Sequence, residues 1–362
     1  MKKAITVLLL ITFTLSGLLA GCRQEAVYRI AFTTMLNDNE AIHLINSDGT
    51  DRIILTGSDN WNINPAWSPD GTKIAYASEG PTGYEIWVKD LSKSRAIQVT
   101  DNGLGNTTNP CWSPDGRKLL FTSNQDIYCC KISQGASNVS VGDLIRLTET
   151  GDNSEPRWSP DGKQILFIST RNGNPEIYRM NPDGSGQTNL TNNPATDQTP
   201  VWSPDGGWIA FCSNRDGNEE IYLMDATGMA PTNLTQNNAA DFSPAWSPDG
   251  TRIAFVSSRD QNQEIYIVNC RNRTQTRLTF TDSPNNWPNW SPGGVEIAFA
   301  SLQDGNWEIY LIKANGTRLR NLTKTLPISE FEPVCAPITL PGSKSQRALT
   351  LDNPLDNFPK LR

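Results

Sequence analysis

The chain has 362 residues, with 31 Lys and Arg against 38 Asp and Glu, a net charge of −7 and one histidine. That balance argues against a nucleic-acid partner, which would require a basic stripe. A single histidine excludes a histidine-rich metal site.

At the N-terminus, Lys2 and Lys3 precede an apolar stretch from Ala4 to Leu15, the pattern of an export signal. Leu19-Ala20-Gly21-Cys22 resembles a bacterial lipobox, which implies cleavage before Cys22 and lipid on its sulfur and amine. Residues 1–21 are therefore expected to be a lipoprotein signal peptide and residues 22–27 a lipid-anchored tether. Arg23 is not the aspartate that resembles an inner-membrane retention signal, which implies the periplasmic side of the outer membrane in a diderm host. No other run approaches the ~20 apolar residues of a spanning helix. Lys2 and Lys3 are the only charged residues in 1–21, so removing the segment leaves 29 basic against 38 acidic residues and a net charge of −9.

From residue 28 onward the chain is periodic. Trp67, Trp112, Trp158, Trp202, Trp246 and Trp290 are separated by 45, 46, 44, 44 and 44 residues. Each follows a proline and one residue, and five of the six continue Ser-Pro-Asp-Gly; the last has Gly293 for the aspartate. Nine residues beyond each tryptophan stands the aromatic of an Ile-Ala-Phe-like run: Tyr76, Phe121, Phe167, Phe211, Phe255 and Phe299. Eleven further comes a Glu-Ile-Tyr-like run, and twelve more reach an Asn-Leu-Thr-like run. Four short apolar runs separated by Gly, Asn, Asp and Pro predict four antiparallel strands per unit. The second runs are apolar on both faces, as in Ile253-Ala254-Phe255-Val256, so both faces must be covered. The tryptophans are read as structural residues that pack between units.

The ends complete the count. Arg29-Ile30-Ala31-Phe32 matches a second strand, with His43 and Leu55 at the same spacings of 11 and 12. Pro333-Val334-Cys335-Ala336-Pro337 matches a first strand, with Cys335 in the tryptophan position. The prediction is an all-β fold, a seven-bladed β-propeller of four-stranded antiparallel blades over 28–337, its ring closed by strands from both termini. The alternative of six blades leaves one full unit unaccounted for. Residues 338–362 lack the pattern and read as a flexible C-terminal tail.

With Trp-Ser-Pro-Asp-Gly, Ile-Ala-Phe and Glu-Ile-Tyr in register, the chain resembles the TolB-like, WD-related propeller family across residues 28–337. The family's namesake has six blades and a separate N-terminal α/β domain, which these repeats do not match. The resemblance implies the fold and an extracytoplasmic binding role, without naming a partner.

Six further cysteines (Cys111, Cys129, Cys130, Cys212, Cys270, Cys335) form no framework, and most fall within strands as small apolar residues. Neighbours Cys129 and Cys130 point to opposite faces of one strand, and the spacing leaves one disulfide open without naming it. His43 occupies a strand position filled elsewhere by Tyr or Trp. No Gly-x-Ser-x-Gly elbow accompanies it, so nucleophilic catalysis is not expected. No cofactor and no metal site are predicted.

One polar constellation remains. Five residues before each tryptophan position stand Asn62, Thr107, Asn153, Asp197, Asp241, Asn285 and Glu330. These are expected to form a ring near one channel mouth, either as a binding surface or as local turn chemistry. Arg171, Arg215 and Arg259 recur at the turn between second and third strands, where pairs with neighbours such as Asp216 and Asp260 are expected. In blade 3 the second-to-third spacing shrinks from 11 to 7 and the third-to-fourth grows from 12 to 19, placing an enlarged loop at Ser133–Asp143. The functional expectation is a lipid-anchored, non-catalytic binding scaffold of the bacterial envelope, recognising a protein or cell-wall-associated ligand. The alternative is an envelope enzyme acting on carbohydrate through channel-mouth carboxylates such as Asp197 and Asp241.

Overall fold

A computed structural model describes residues 27–36, 39–57, 59–101, 103–134, 139–325 and 327–337. The lipobox with Cys22, the tether up to residue 26 and the tail from 338 lie outside the described residues. Among those described, no helix is long and apolar enough to cross a membrane.

Among the described residues, seven sheets of four antiparallel strands account for the repeats, six of them in sequence order. Blade 6 is typical, with Asp241–Trp246, Arg252–Ser257, Glu264–Asn269 and Gln275–Arg277 as its first to fourth strands. The seven first strands neighbour one another in a closed circle and are the inner strands. Blade 1 takes its inner strand, Glu330–Cys335, from the C-terminal end and its other three from Arg29–Leu36, Asn39–Asn46 and Ile53–Ile54. Ile30 pairs with Cys335 and Thr34 with Glu330, which closes the ring. The count is seven, as the sequence requires.

The core lies between blades rather than within one. Ala210, Cys212, Ile221 and Leu223 of blade 5 meet Ile253, Phe255 and Tyr266 of blade 6, with Trp246 against them. The second-strand phenylalanines Phe32, Phe121, Phe167, Phe211, Phe255 and Phe299 are fully buried. Doubly covered second strands explain why those runs show no polar alternation. Cys130 faces the blade 2–3 core and Cys129 the blade 3–4 core, and all six described cysteines are free.

Four of the six tryptophans also reach across to the neighbouring blade. Trp67, Trp112, Trp246 and Trp290 donate Nε1–H to the carbonyls of Val334, Ala66, Val201 and Ala245 in the preceding inner strand, at 2.9–3.2 Å. The turn that follows is locally determined. Its serine hydroxyl donates to the aspartate Oδ1 at 2.5–2.7 Å, and that oxygen accepts a backbone N–H two residues on. The closing glycine has φ of 66–73°, a left-handed backbone that disfavours a side chain there.

Blade 3 differs from expectation. Asp126–Gln134 and Val139–Arg146 pair as a hairpin, so most of the Ser133–Asp143 insertion is extended strand instead of loop. The shortened partner turn has Asn124 and Gln125 with φ of 42° and 69°, the pair of positive values that a two-residue hairpin needs.

Candidate binding face and central channel

The polar constellation begins every inner strand, but it does not line the mouth. Asn62 is 4% exposed, and Thr107, Asn153, Asp197, Asp241, Asn285 and Glu330 are 0%. Their partners are protein groups. Asn62 Nδ2 donates to the carbonyls of Glu40, Gly57 and Asn60, and Thr107 Oγ1 to that of Tyr84. Asn285 Nδ2 donates to Glu264 Oε2 at 3.0 Å and Thr281 Oγ1 at 2.7 Å. These contacts, with that of Asn153 Nδ2 to the Asp126 carboxylate, fasten four of the inner strands to the third strand of the blade before.

The recurring arginines belong to the same network. Arg215 and Arg259 pair with Asp197 and Asp241 at 2.9 Å, and Arg171 donates to Asn153 Oδ1 at 2.9 Å. Each guanidinium lies over the third-strand tyrosine, 4.5–4.6 Å from the ring centroid of Tyr178, Tyr222 or Tyr266. The expected partners Asp216 and Asp260 instead accept the hydroxyls of Tyr222 and Tyr266. Carboxylates that start a strand need a cation once the next blade covers them, and the turn arginine is the cation within reach. In blade 1, Arg52, just before the fourth strand, takes this part, pairing with Glu330 at 2.7 Å and donating to His43 Nδ1. Burial and then Arg52 hold the His43 imidazole down at about 4, so it is neutral at ordinary pH.

The channel is lined two residues further along. Every inner strand breaks register just before its central proline, as between Ile63 and Ala66. Proline has no N–H to lose at a bulge. The residue before it takes a left-handed backbone in all seven blades: Asn64, Asn109, Glu155, Thr199, Ser243, Trp287 and Glu332, with φ of 51–55°. A bulge re-aims a side chain. Here all seven line one axial cavity of about 750 Å³, together with Cys111, Arg157, Val201, Ala245, Asn289 and Val334 one layer deeper. A contiguous cavity of about 830 Å³ continues toward the Trp-Ser-Pro-Asp-Gly turns and shares Asn64, Asn109, Arg157 and Glu332. No repeat motif marks this ring, because its residue types vary from unit to unit. Variation between constant flanks was the available signal.

The channel is not evenly furnished. Trp287 meets Trp307 and Phe331 at centroid distances of 5.4 and 5.9 Å, edge to face, and Trp307 lies 6.3 Å from Phe331. All three are partly exposed, at the mouth between blades 7 and 1. Burial raises the carboxyl pKa of Glu332 beside them, and burial plus the charge of Glu332 raises that of Glu40. Among the described residues, no cation pairs with Glu332. No three His, Cys, Asp or Glu side chains among them form a set able to hold a metal ion.

A closed seven-bladed propeller with a furnished axial channel defines the class of protein. Residues 18–208 and 185–337 match the TolB beta propeller domain, and the chain belongs to that TolB-like propeller family. A TolB homolog of Chlorobaculum tepidum is 30% identical over 87 residues, 24% of this chain and 20% of that protein, so the chain matches about a fifth of that relative's length. The crystal structure of TolB from Acinetobacter baumannii is 25% identical with a TM-score of 0.59, over 86% of this chain and 67% of that one. An oligogalacturonate lyase from Vibrio parahaemolyticus superposes with a TM-score of 0.60 over 83% of this chain and 86% of that one. At 14% identity it shares the fold alone.

Proposed function

We propose that the protein is a non-catalytic binding scaffold of the bacterial envelope, anchored through lipid on Cys22, that recognises a protein or cell-wall-associated ligand at the channel mouth. The observation that carries this reading is the placement of Asp197 and Asp241. Both are fully buried and held by arginines, and so are removed from any ligand. The carbohydrate-enzyme alternative drew on channel-mouth carboxylates such as these two. The second-to-third turns and the varied channel ring share the mouth face, where scaffold-mounted groups are free to differ without disturbing the core. The described chain enters the second strand of blade 1 on the opposite face, beside the Trp-Ser-Pro-Asp-Gly turns, and lipid on Cys22 would hold that face toward the bilayer. The mouth then points away from the bilayer.

Two measurements test this. Mass spectrometry of the mature N-terminal peptide is expected to find Cys22 first and lipid-modified. A photo-crosslinking residue at exposed Asn172, on the mouth face, is expected to yield macromolecular adducts in intact cells. The same residue at Asp115, on the turn face, is expected to yield lipid adducts or none. Macromolecular adducts from Asp115 alone refute the mouth as the binding face.

A further inference from the structure

We propose that the axial ring and the aromatic corner beside it form a saccharide-binding site that takes an uncharged glycan and rejects uronates. The inference rests on the mouth being the binding face and names the ligand chemistry for it. Seven near-identical blades provide their own control. At the Trp287 position the other blades carry Asn64, Asn109, Glu155, Thr199, Ser243 and Glu332. At the Trp307 position blades 1 and 3–6 carry Glu40, Gln125, Pro175, Glu219 and Gln263, and only blade 2 has another aromatic, Tyr84. Blades fold and pack without aromatics at these places, so the architecture does not require Trp287 or Trp307. Their inner edges rest on the blade 7–blade 1 core while their remaining surface is open to the mouth.

The polar lining discriminates between ligands. Asn64, Asn109 and Asn289 both donate and accept, Thr199 and Ser243 do likewise, Glu155 and Glu332 only accept, and Arg157 only donates. A lone cation would be matched by acceptors throughout, and Arg157 in the same cavity opposes it. Hydroxyl groups, which donate and accept at once, match the mixture. The apolar face of a sugar ring matches the flank of Trp287, as ligand pockets combine aromatic walls with a few placed polar groups. Two carboxylates against one guanidinium leave the lining acidic, which disfavours a negatively charged sugar.

The test uses the full-length protein in detergent with four-residue probes: oligomers of N-acetylglucosamine, of glucose and of galacturonate, each followed by tryptophan fluorescence and calorimetry. At least one neutral oligomer is expected to bind with a dissociation constant of about 1 mM or tighter. Trp287→Asn, which installs the residue of blades 2 and 3, is expected to weaken it at least about tenfold, and Trp307→Gln to weaken it too. Both variants are expected to stay folded with a cooperative thermal transition, the midpoint lowered by the lost packing on the blade 7–blade 1 core. Three results overturn the proposal: no neutral oligomer binding at about 10 mM, galacturonate binding as tightly as the best neutral oligomer, or affinity unchanged in a folded Trp287→Asn protein. Macromolecular adducts at Asn172 with no saccharide binding overturn this inference alone and leave the scaffold reading standing.

Discussion

Arg215→Ala isolates what a buried charge contributes to a blade. Asp197 is fully buried, Arg215 is 14% exposed, and their 2.9 Å contact joins the inner strand of blade 5 to the turn beyond its second strand. Removing the guanidinium leaves a buried carboxylate without a cation, a change that costs about 3–5 kcal/mol. At about 2.1 cal/mol/K of unfolding entropy per residue over Arg29–Cys335, that is a fall of about 5–8 °C in Tm. Arg171→Ala is the matched control. It loses the same stacking, since Arg171 and Arg215 both lie 4.6 Å from a tyrosine centroid, but it leaves behind neutral Asn153. Its expected loss is about 1–2 kcal/mol, that of an ordinary buried hydrogen bond and a ring contact. Asp197→Asn converts blade 5 to the chemistry of blade 4 and is expected to cost under about 1 kcal/mol. Combined with Arg215→Ala, it is expected to recover most of the single-variant loss. Thermal and urea denaturation of the four variants measure this. Equal losses in Arg171→Ala and Arg215→Ala, or no recovery in the double variant, refute the charge argument.

Ring closure predicts that a chain ending at Ser329 loses the inner strand of blade 1 and the carbonyl acceptor of Trp67, and falls far below wild type in thermal stability. A chain ending at Pro337 keeps both contacts and is expected to melt with wild type. Trp112→Phe removes a 3.2 Å hydrogen bond to Ala66 O, whereas Trp158 Nε1 has no partner. Trp112→Phe is therefore expected to cost about 1 kcal/mol more than Trp158→Phe in urea titrations. His43 is depressed to about 4 in the folded state, so its contribution is complete above its unfolded value near 6.5 and is lost as pH falls from there toward 4. The difference in stability between wild type and His43→Tyr, measured across that window, is expected to shift in favour of the variant as pH falls.

The fold was legible because each level of the sequence agreed. Spacing gave the blade, turn residues gave the hairpins, and the Arg29–Phe32 and Pro333–Pro337 matches gave the closure. The buried role of the polar constellation was not read, because a polar residue at the start of a strand looks like a surface residue until its partner is known. The partner was present in the spacing. Arg171, Arg215 and Arg259 each stand 18 residues after Asn153, Asp197 and Asp241. Asn62, Thr107 and Asn285 occur in blades whose turns carry no arginine there. Pairing the arginines with the nearest acids in sequence, Asp216 and Asp260, missed this because sequence proximity outweighed a recurring offset. The channel ring was hidden for another reason: a bulge reverses which side chains face inward, and alternation along the strand does not announce it.

That ring raises the question of what its side chains are retained for. A left-handed backbone costs a non-glycine residue about 1–2 kcal/mol, least for Asn and most for β-branched residues. An architecture that only needed the bulge would be served by Asn everywhere, as it is by Asn64 and Asn109. Thr199 holds the same conformation at φ 51° with a branched side chain, and its hydroxyl gains only a 3.1 Å contact to Cys212 Sγ. Thr199→Asn is therefore expected to be neutral or to stabilise the protein by up to about 1 kcal/mol, because the relieved backbone strain exceeds the weak thiol contact. Equilibrium urea denaturation against wild type decides it. A loss of more than about 1 kcal/mol would show that Thr199 is held by the fold, and the ring would then lose its standing as a surface whose composition is free to follow a ligand.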